Sequence, residues 1–281
     1  MPPAPHPPSL PAAPHPAPNG VSLLTVPGWE ALPWLWHAFS TRRGGVSVAY
    51  AAQESSGELN LGFTADDSRE NVVRNRQLLA EAVTGDPATP LVTVRQVHSA
   101  VIVTTGPDAP AQPACEGDGL ITAQPGILLG IQTADCVPVL VADRRRKAVA
   151  AFHAGWRGTV QRIVEHGIAR MAREFGSQPQ DLVAAIGPAI GPCCYTVGPD
   201  LLSAFQAQFD DASSLFHTVG NDLRLDLHEA NRRQLLAAGL APQAIALVGG
   251  CTACQPQLFF SHRAAHGRAG RMLSVIGIRP H

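Results

Sequence analysis

A chain of 281 residues with a net charge of −1 at pH 7 can bury a substantial core as one large domain. It offers no general attraction for nucleic acid or for an anionic membrane surface, so any recognition of phosphate has to be local. No apolar run reaches the roughly 18 residues needed to cross a bilayer, the N-terminus lacks a charged stretch followed by an apolar one, and six cysteines in this length do not make a disulfide framework; the expectation is a soluble, unexported, cytoplasmic protein with reduced thiols.

Taken in chain order, residues 1 to 20 form a Pro/Ala-rich tail too rich in Pro to make helix or ladder and too poor in large apolar side chains to pack. Its His6 and His15 are isolated and are not expected to hold a metal. A single catalytic domain is expected over 21–281. Phe39 to Ser47 ends an apolar segment in a basic, Gly-rich turn, where Arg42 and backbone amides can approach an anion as readily as they can form an ordinary solvated turn. From Asp67-Ser68 a helix runs to about Val83, with Val72, Val73, Leu79 and Val83 on one side. A strand opens near Leu91 and ends at His98, Ala100 to Thr105 continues it, and Gly117-Asp118-Gly119 turns into another apolar segment.

Gly126 to Gln132 reads as a buried strand leading into the stretch that organises the chain, Thr133 to Gly158. There Cys136 follows Ala134-Asp135 and opens the apolar run Val137 to Val141, while His153 closes the run Ala148 to Phe152 and precedes Ala-Gly-Trp-Arg-Gly. Each run has the length and composition of a buried strand, and a polar, Gly-flanked residue at the end of a rigid strand is well placed for chemistry. Cys136, His153 and His98 are therefore candidate metal ligands. Two imidazoles and one thiolate suit Zn²⁺ with a fourth position open, the arrangement of a catalytic site, although a copper site or a structural zinc in a non-catalytic scaffold fits three ligands as well.

Beyond Gly158, a helix from Thr159 to Phe175 presents Val160, Ile163, Val164, Ile168, Met171 and Phe175 on one face, with His166 off that face and solvated. Val183 to Ile186 is a short strand into the rigid loop Gly187 to Tyr195. Helices follow at about Pro199 to Phe209 and Asp226 to Ala238, with strands at Ala244 to Val248 and Met272 to Ile278. The interleaving is irregular, so the fold class is α/β or α+β, one domain with a mixed β-sheet and flanking helices. Motifs for dinucleotides, P-loop nucleotides, serine hydrolysis, zinc proteolysis and the usual zinc deaminases are all missing. Cys251-Thr252-Ala253-Cys254 is half of a structural zinc site, but Cys193-Cys194 is not expected to supply the other half, because neighbouring side chains on an extended chain point apart. Reduced structural thiols are the expectation.

Six blocks in order carry a resemblance: Gln96-Val97-His98, Thr133-Ala134-Asp135-Cys136, His153-Ala154-Gly155-Trp156-Arg157-Gly158, Gly187-Pro188 through Cys193-Cys194-Tyr195, Cys251-Thr252-x-Cys254, and Phe260-Ser261-His262-Arg263. From about Phe39 to Ile278 the chain resembles the YfiH/YlmD-type purine nucleoside phosphorylases, formerly called multicopper polyphenol oxidases or laccase-domain proteins. The resemblance implies zinc at His98, Cys136 and His153. It also implies phosphorolysis of adenosine, inosine, guanosine and methylthioadenosine, together with deamination of adenosine. Purine nucleosides and phosphate are then the partners, with the choice between monomer and homodimer open, and Arg42, Arg157 and Arg263 are the candidate phosphate contacts. Where relatives usually read Ser-Tyr-Arg-Arg-Asp-Gly, this chain reads Ser261-His262-Arg263-Ala264-Ala265-His266-Gly267, without the acidic residue. The rival enzyme is a copper-dependent oxidase of phenols, yet no His-x-His pair occurs among the eleven histidines.

Overall fold

A computed structural model describes residues 13–51, 57–106 and 115–280. The mixed sheet expected from the sequence is present twice. One six-stranded sheet has the spatial order His15–Pro16, Ser22–Leu24, Leu35–Ser40, Met272–Ile278, Leu128–Thr133, Leu91–Thr93; the other has Ile245–Leu247, Leu182–Ile186, Val137–Asp143, Val149–Ala154, Gly119–Thr122, Ile102–Thr104. Each is antiparallel in its middle, with a parallel pair at the Leu91–Thr93 edge of the first sheet and at both edges of the second.

The two sheets pack face to face, and helices cover both outer faces. Strand periodicity explains how one run serves two interfaces: in Val137–Asp143, Leu140 and Ala142 join the core between the sheets, while Val137, Val139 and Val141 face Ile163, Val164, Ile168 and Met171 of the helix Ile163–Phe175. On the far side, Trp36, Ala38, Leu128, Leu273 and Val275 pack against Leu78, Leu79 and Ala80 of the helix Arg69–Thr84. Strands buried on both faces lose the polar alternation of a half-exposed strand, and for this reason the central segments read as continuous apolar runs. Burying each large side chain contributes roughly 1.5–3 kcal/mol. Close approach also needs small residues: a Cβ on Gly167 would lie 2.2 Å from Phe152 Cζ, so that glycine lets the helix settle on the second sheet.

Several local expectations shift. The helix Arg69–Thr84 is capped by Ser68, whose hydroxyl accepts from Asn71 N, and stops at Gly85 with φ 87°. The single helix expected over Thr159 to Phe175 is two, Trp156–Val160 and Ile163–Phe175, because Arg162 adopts a left-handed conformation (φ 59°) and breaks the ladder. The helix expected to reach Phe209 ends at Gln206. The sequence reading also missed a small antiparallel sheet of Thr196–Val197, Asp222–Leu225 and Phe216–Val219, although Gly220-Asn221 between paired Val219 and Asp222 is a hairpin signal. The Pro-rich segment is structured earlier than expected: His15–Pro16 pairs with Ser22–Leu24 at the sheet edge, where a missing N–H is tolerated, and the Asn19 side chain donates to Leu78 O and Glu81 Oε2. Residues 1–12, with His6, lie outside the described residues. His166 is exposed and Met171 buried, as expected.

Candidate metal centre and its cleft

The topology brings three distant residues to one end of the sandwich. Leu128–Thr133 belongs to the first sheet and Val137–Asp143 to the second, so Ala134, Asp135 and Cys136 form the crossing between them. Leu91–Thr93 and Ile102–Thr104 are likewise in different sheets, and His98 lies on the loop that crosses between them, beyond the strand that the sequence reading extended to it. His153 sits near the end of Val149–Ala154, opposite Pro138 in register. Their ligand atoms lie within 4.8 Å of one another, with His98 Nε2 4.0 Å from Cys136 Sγ. Gly155 keeps the space clear, because a Cβ there would lie 3.0 Å from the Cys136 sulfur and 3.1 Å from the His98 ring.

Asp118, by sequence only part of the turn Gly117-Asp118-Gly119, fixes this arrangement. Its fully buried carboxylate accepts from His153 Nδ1 at 2.8 Å and from the backbone amides of Val97, His98 and Ser99 at 3.2, 3.0 and 2.6 Å; it also accepts from the Ser99 hydroxyl at 2.8 Å. A carboxylate only accepts, so Nδ1 carries the proton and His153 Nε2 is left for a metal, the usual second partner of a ligating imidazole. The same carboxylate holds His98 at φ 60°, a left-handed conformation that a non-glycine residue keeps only when its surroundings impose it. Burial would raise the Asp118 pKa, but the hydrogen bonds from His153 and Ser99 outweigh it and hold the acid at about 2. The one signal in the sequence was an acid between two glycines directly before a buried strand, with no local partner.

Electrostatics at the centre favour an anionic sulfur. Burial pushes the Cys136 thiol up, yet the charge of His153 and hydrogen bonds from both imidazoles outweigh it and bring the thiol to about 6. Burial likewise lowers His153, while Cys136 and Asp118 together raise it to about 9. Two nitrogens and a thiolate, one ring oriented by a buried carboxylate, fit zinc with a position to spare. Asp135, at φ 95°, accepts from Thr252 Oγ1 at 2.6 Å and Arg263 N at 2.7 Å, so it positions the segment that carries Arg263.

The three residues open into a cleft of about 600 Å³, within the range of small-molecule sites. Arg157 and Arg263 line it, stacked 4.4 Å over the Trp156 ring and 5.2 Å over the Tyr195 ring. Among the described residues neither guanidinium is paired with a carboxylate side chain, so both can receive an anion. Phe63, Tyr195, His262 and Arg271, none singled out from composition, line the cleft as well. Arg42 is not brought here. It lines a separate pocket and donates to Glu58 Oε2 at 2.7 Å, Pro256 O at 2.8 Å and Tyr50 O at 2.7 Å, with Phe260 beneath it at 4.6 Å.

The other five cysteines are free, as expected, but four of them meet where Cys193-Cys194 was not expected to join Cys251 and Cys254. Cys193, Cys194, Cys251 and Cys254 hold their sulfurs within 4.8 Å of one another. Cys193 and Cys194 lie on a turn in which the amides of Cys194 and Tyr195 both donate to Gly191 O at 3.0 Å, so the alternation of an extended chain does not apply and both side chains reach the same place.

A cleft built around a candidate metal site, at the end of a four-layer sandwich, defines a class that the comparisons make specific. The family model described as multi-copper polyphenol oxidoreductase laccase matches residues 36–279. The purine nucleoside phosphorylase YlmD of Geobacillus stearothermophilus is 40% identical over 251 residues, covering 85% of this chain and 89% of the relative. The purine nucleoside phosphorylase of Deinococcus radiodurans is 39% identical over 260 residues, covering 92% and 94%. The crystal structure of YlmD from Geobacillus stearothermophilus superposes with a TM-score of 0.84 at 36% identity, covering 96% of this chain and all of that one. The chain belongs to the laccase-like family of YfiH/YlmD purine nucleoside phosphorylases. Among the described residues no helix is long and apolar enough to cross a membrane.

Proposed function

We propose that the chain is a zinc-dependent purine nucleoside phosphorylase, acting in the cytoplasm on adenosine, inosine, guanosine and methylthioadenosine, and that the same site deaminates adenosine. The observation that carries the reading is the convergence of His98, Cys136 and His153 on one cleft whose lining includes Arg157 and Arg263. The names of the relatives supply the reaction class. His98, Cys136 and His153 would hold the zinc, which would supply Lewis-acid chemistry there.

The protein's own groups account for the rest. Arg157 and Arg263 hold a phosphate dianion, and their forked guanidinium donors suit its oxygens. Phe63, Trp156 and Tyr195 line the cleft and offer aromatic surface beside the purine. Burial raises the Tyr195 phenol to about 12, so it remains a hydrogen-bond donor at neutral pH. In phosphorolysis an oxygen of the positioned phosphate bonds to the anomeric carbon as the bond to the base breaks. The electron pair leaves with the purine, which takes up a proton, and ribose 1-phosphate remains. In deamination water adds at the ring carbon bearing the amino group, and ammonia departs.

The family description favours a copper-dependent oxidation of phenols as the second reading. That chemistry needs further copper ligands, whereas the other ligand cluster among the described residues consists of four cysteines and no histidine. Incubating zinc-replete protein with adenosine, with and without phosphate, separates the readings by chromatography. Phosphate-dependent adenine and ribose 1-phosphate alongside phosphate-independent inosine is the expected pattern. Absence of both products, with oxygen uptake on phenols after copper loading, establishes the oxidase instead; no turnover of any kind establishes a scaffold.

A further inference from the structure

The loop after strand Leu182–Ile186 and the segment after strand Ile245–Leu247 run side by side. Ala189 forms a parallel bridge with Cys251, Thr252 N donates to Ala189 O at 3.0 Å, and Gly191 N donates to Cys251 Sγ at 3.3 Å. The turn at Cys193-Cys194 then folds both sulfurs onto Cys254, at 3.5 Å and 3.4 Å. All four thiols are free, and Cys193 and Cys254 are exposed.

Packing does not account for this cluster. None of the four cysteines belongs to the apolar cores, and a free thiol normally behaves as a small buried hydrophobe. The spacing matches a shared ion. Four thiolates each about 2.3 Å from a tetrahedral centre stand about 3.8 Å apart, and the sulfur separations here run from 3.4 Å to the 4.8 Å that bounds the group. The amide of Gly191 aimed at Cys251 Sγ adds a donor of the kind that stabilises a metal-bound sulfur.

We propose that Cys193, Cys194, Cys251 and Cys254 form a second, closed metal site that binds Zn²⁺ through four thiolates and staples the Gly187–Tyr195 loop to the segment leading into Arg263. Four sulfurs leave no position for water or substrate, so this site is structural, in contrast to the open site at His98, Cys136 and His153. Binding displaces the four thiol protons to solvent and leaves a complex of charge −2. The staple has a defined mechanical task. The loop contributes Ile190 and Tyr195 to the cleft and the other segment contributes His262 and Arg263, while Thr252, next to Cys251, donates to Asp135 beside Cys136.

Elemental analysis of the full chain, purified anaerobically under reducing conditions in zinc-supplemented medium, tests this independently of any activity. Two zinc ions per chain are expected in the wild type. Cys254→Ser is expected to retain one, at the open site, and Cys136→Ala to retain one, at the four cysteines. Should Cys254→Ser fail to fold, Co²⁺ titration of the metal-depleted wild type keeps the proposal open to refutation. Sulfur-to-cobalt charge-transfer absorption must rise through two equivalents, with an intensity per chain corresponding to five thiolates rather than one. A single zinc per chain that persists in Cys254→Ser, a cobalt titration that saturates at one equivalent, or an intact mass lighter by the hydrogens of one or two disulfides overturns the site. Failure of the phosphorylase reading leaves these metal counts untouched, so the two can fail separately.

Discussion

Replacing Asp118 by Asn is the sharpest probe of the candidate metal centre, because it alters none of the three candidate ligands and almost no volume. The carboxylate takes five hydrogen bonds, and its pKa, held at about 2 against an ordinary 3.8, means that the site prefers the charged form over a neutral one by about 2 kcal/mol. An amide keeps one acceptor oxygen. If that oxygen serves His153 and His98, the amide's NH₂ group faces the amides of Val97 and Ser99, and each orphaned donor costs about 1–3 kcal/mol. A total loss of roughly 3 kcal/mol corresponds to a fall in Tm of roughly 6–12 °C for a chain of this size. With His153 no longer locked by a charge and the His98 loop loosened, zinc affinity should drop roughly tenfold to a hundredfold. Chelator competition measures the affinity, and calorimetry of the metal-depleted protein measures the stability apart from the metal's own contribution. A variant that binds zinc within about twofold of the wild type and melts within about 1 °C of it would refute the assignment of Asp118 as the organiser of the site.

The arginines should separate by pocket. Arg157→Ala and Arg263→Ala are expected to raise the KM for phosphate and depress inosine phosphorolysis more than adenosine deamination, since only the former uses phosphate; equal losses in both reactions would count against the phosphate role. Arg42→Ala is expected to leave that ratio unchanged and to lower stability by about 1–3 kcal/mol, through its bonds to Glu58, Tyr50 and Pro256 and its stacking on Phe260. A selective loss of phosphorolysis with an unchanged Tm would reverse the two roles. A pH test lies outside the cleft: burial lowers the His37 pKa to about 4 against the raising effect of Glu30, and its Nε2 accepts from Val26 N at 3.0 Å. The unfolded chain therefore binds the extra proton between pH 6.5 and 4, so this contribution is complete above 6.5 and is lost as the pH falls towards 4, by about 3 kcal/mol in all. His37→Gln should flatten the decline of Tm across that window; an unchanged slope would show that other groups set it.

The strands that build the site were legible because they are buried on both faces. Val137 to Val141 and Ala148 to Phe152 appear as unbroken apolar runs, and a Cys or His at the end of such a run stands out against it. Helix Arg69–Thr84 was legible from its cap and periodicity, since both are local properties of the chain. The sheet count was not local. Leu128–Thr133 and Val137–Asp143 are separated by three residues yet belong to different sheets, and no propensity distinguishes a strand that returns to its own sheet from one that crosses to the next.

From sequence alone came the three candidate ligands, the buried strands beside Cys136 and His153 and the order of the motif blocks, because each depends on residues close together in the chain. Tertiary structure alone decided which groups meet across the chain. It joined Asp118 to His153 over 35 positions and the four cysteines over about 60, and it sent Arg42 to a different pocket from Arg157 and Arg263. It also overturned the expectation for Cys193 and Cys194, since a turn, unlike an extended strand, lets neighbouring side chains converge. Hydrogen bonds, ion pairs and metal ligation act over a few ångströms of space regardless of chain separation, so sequence could reveal the chemical types at the site while folding chose their partners.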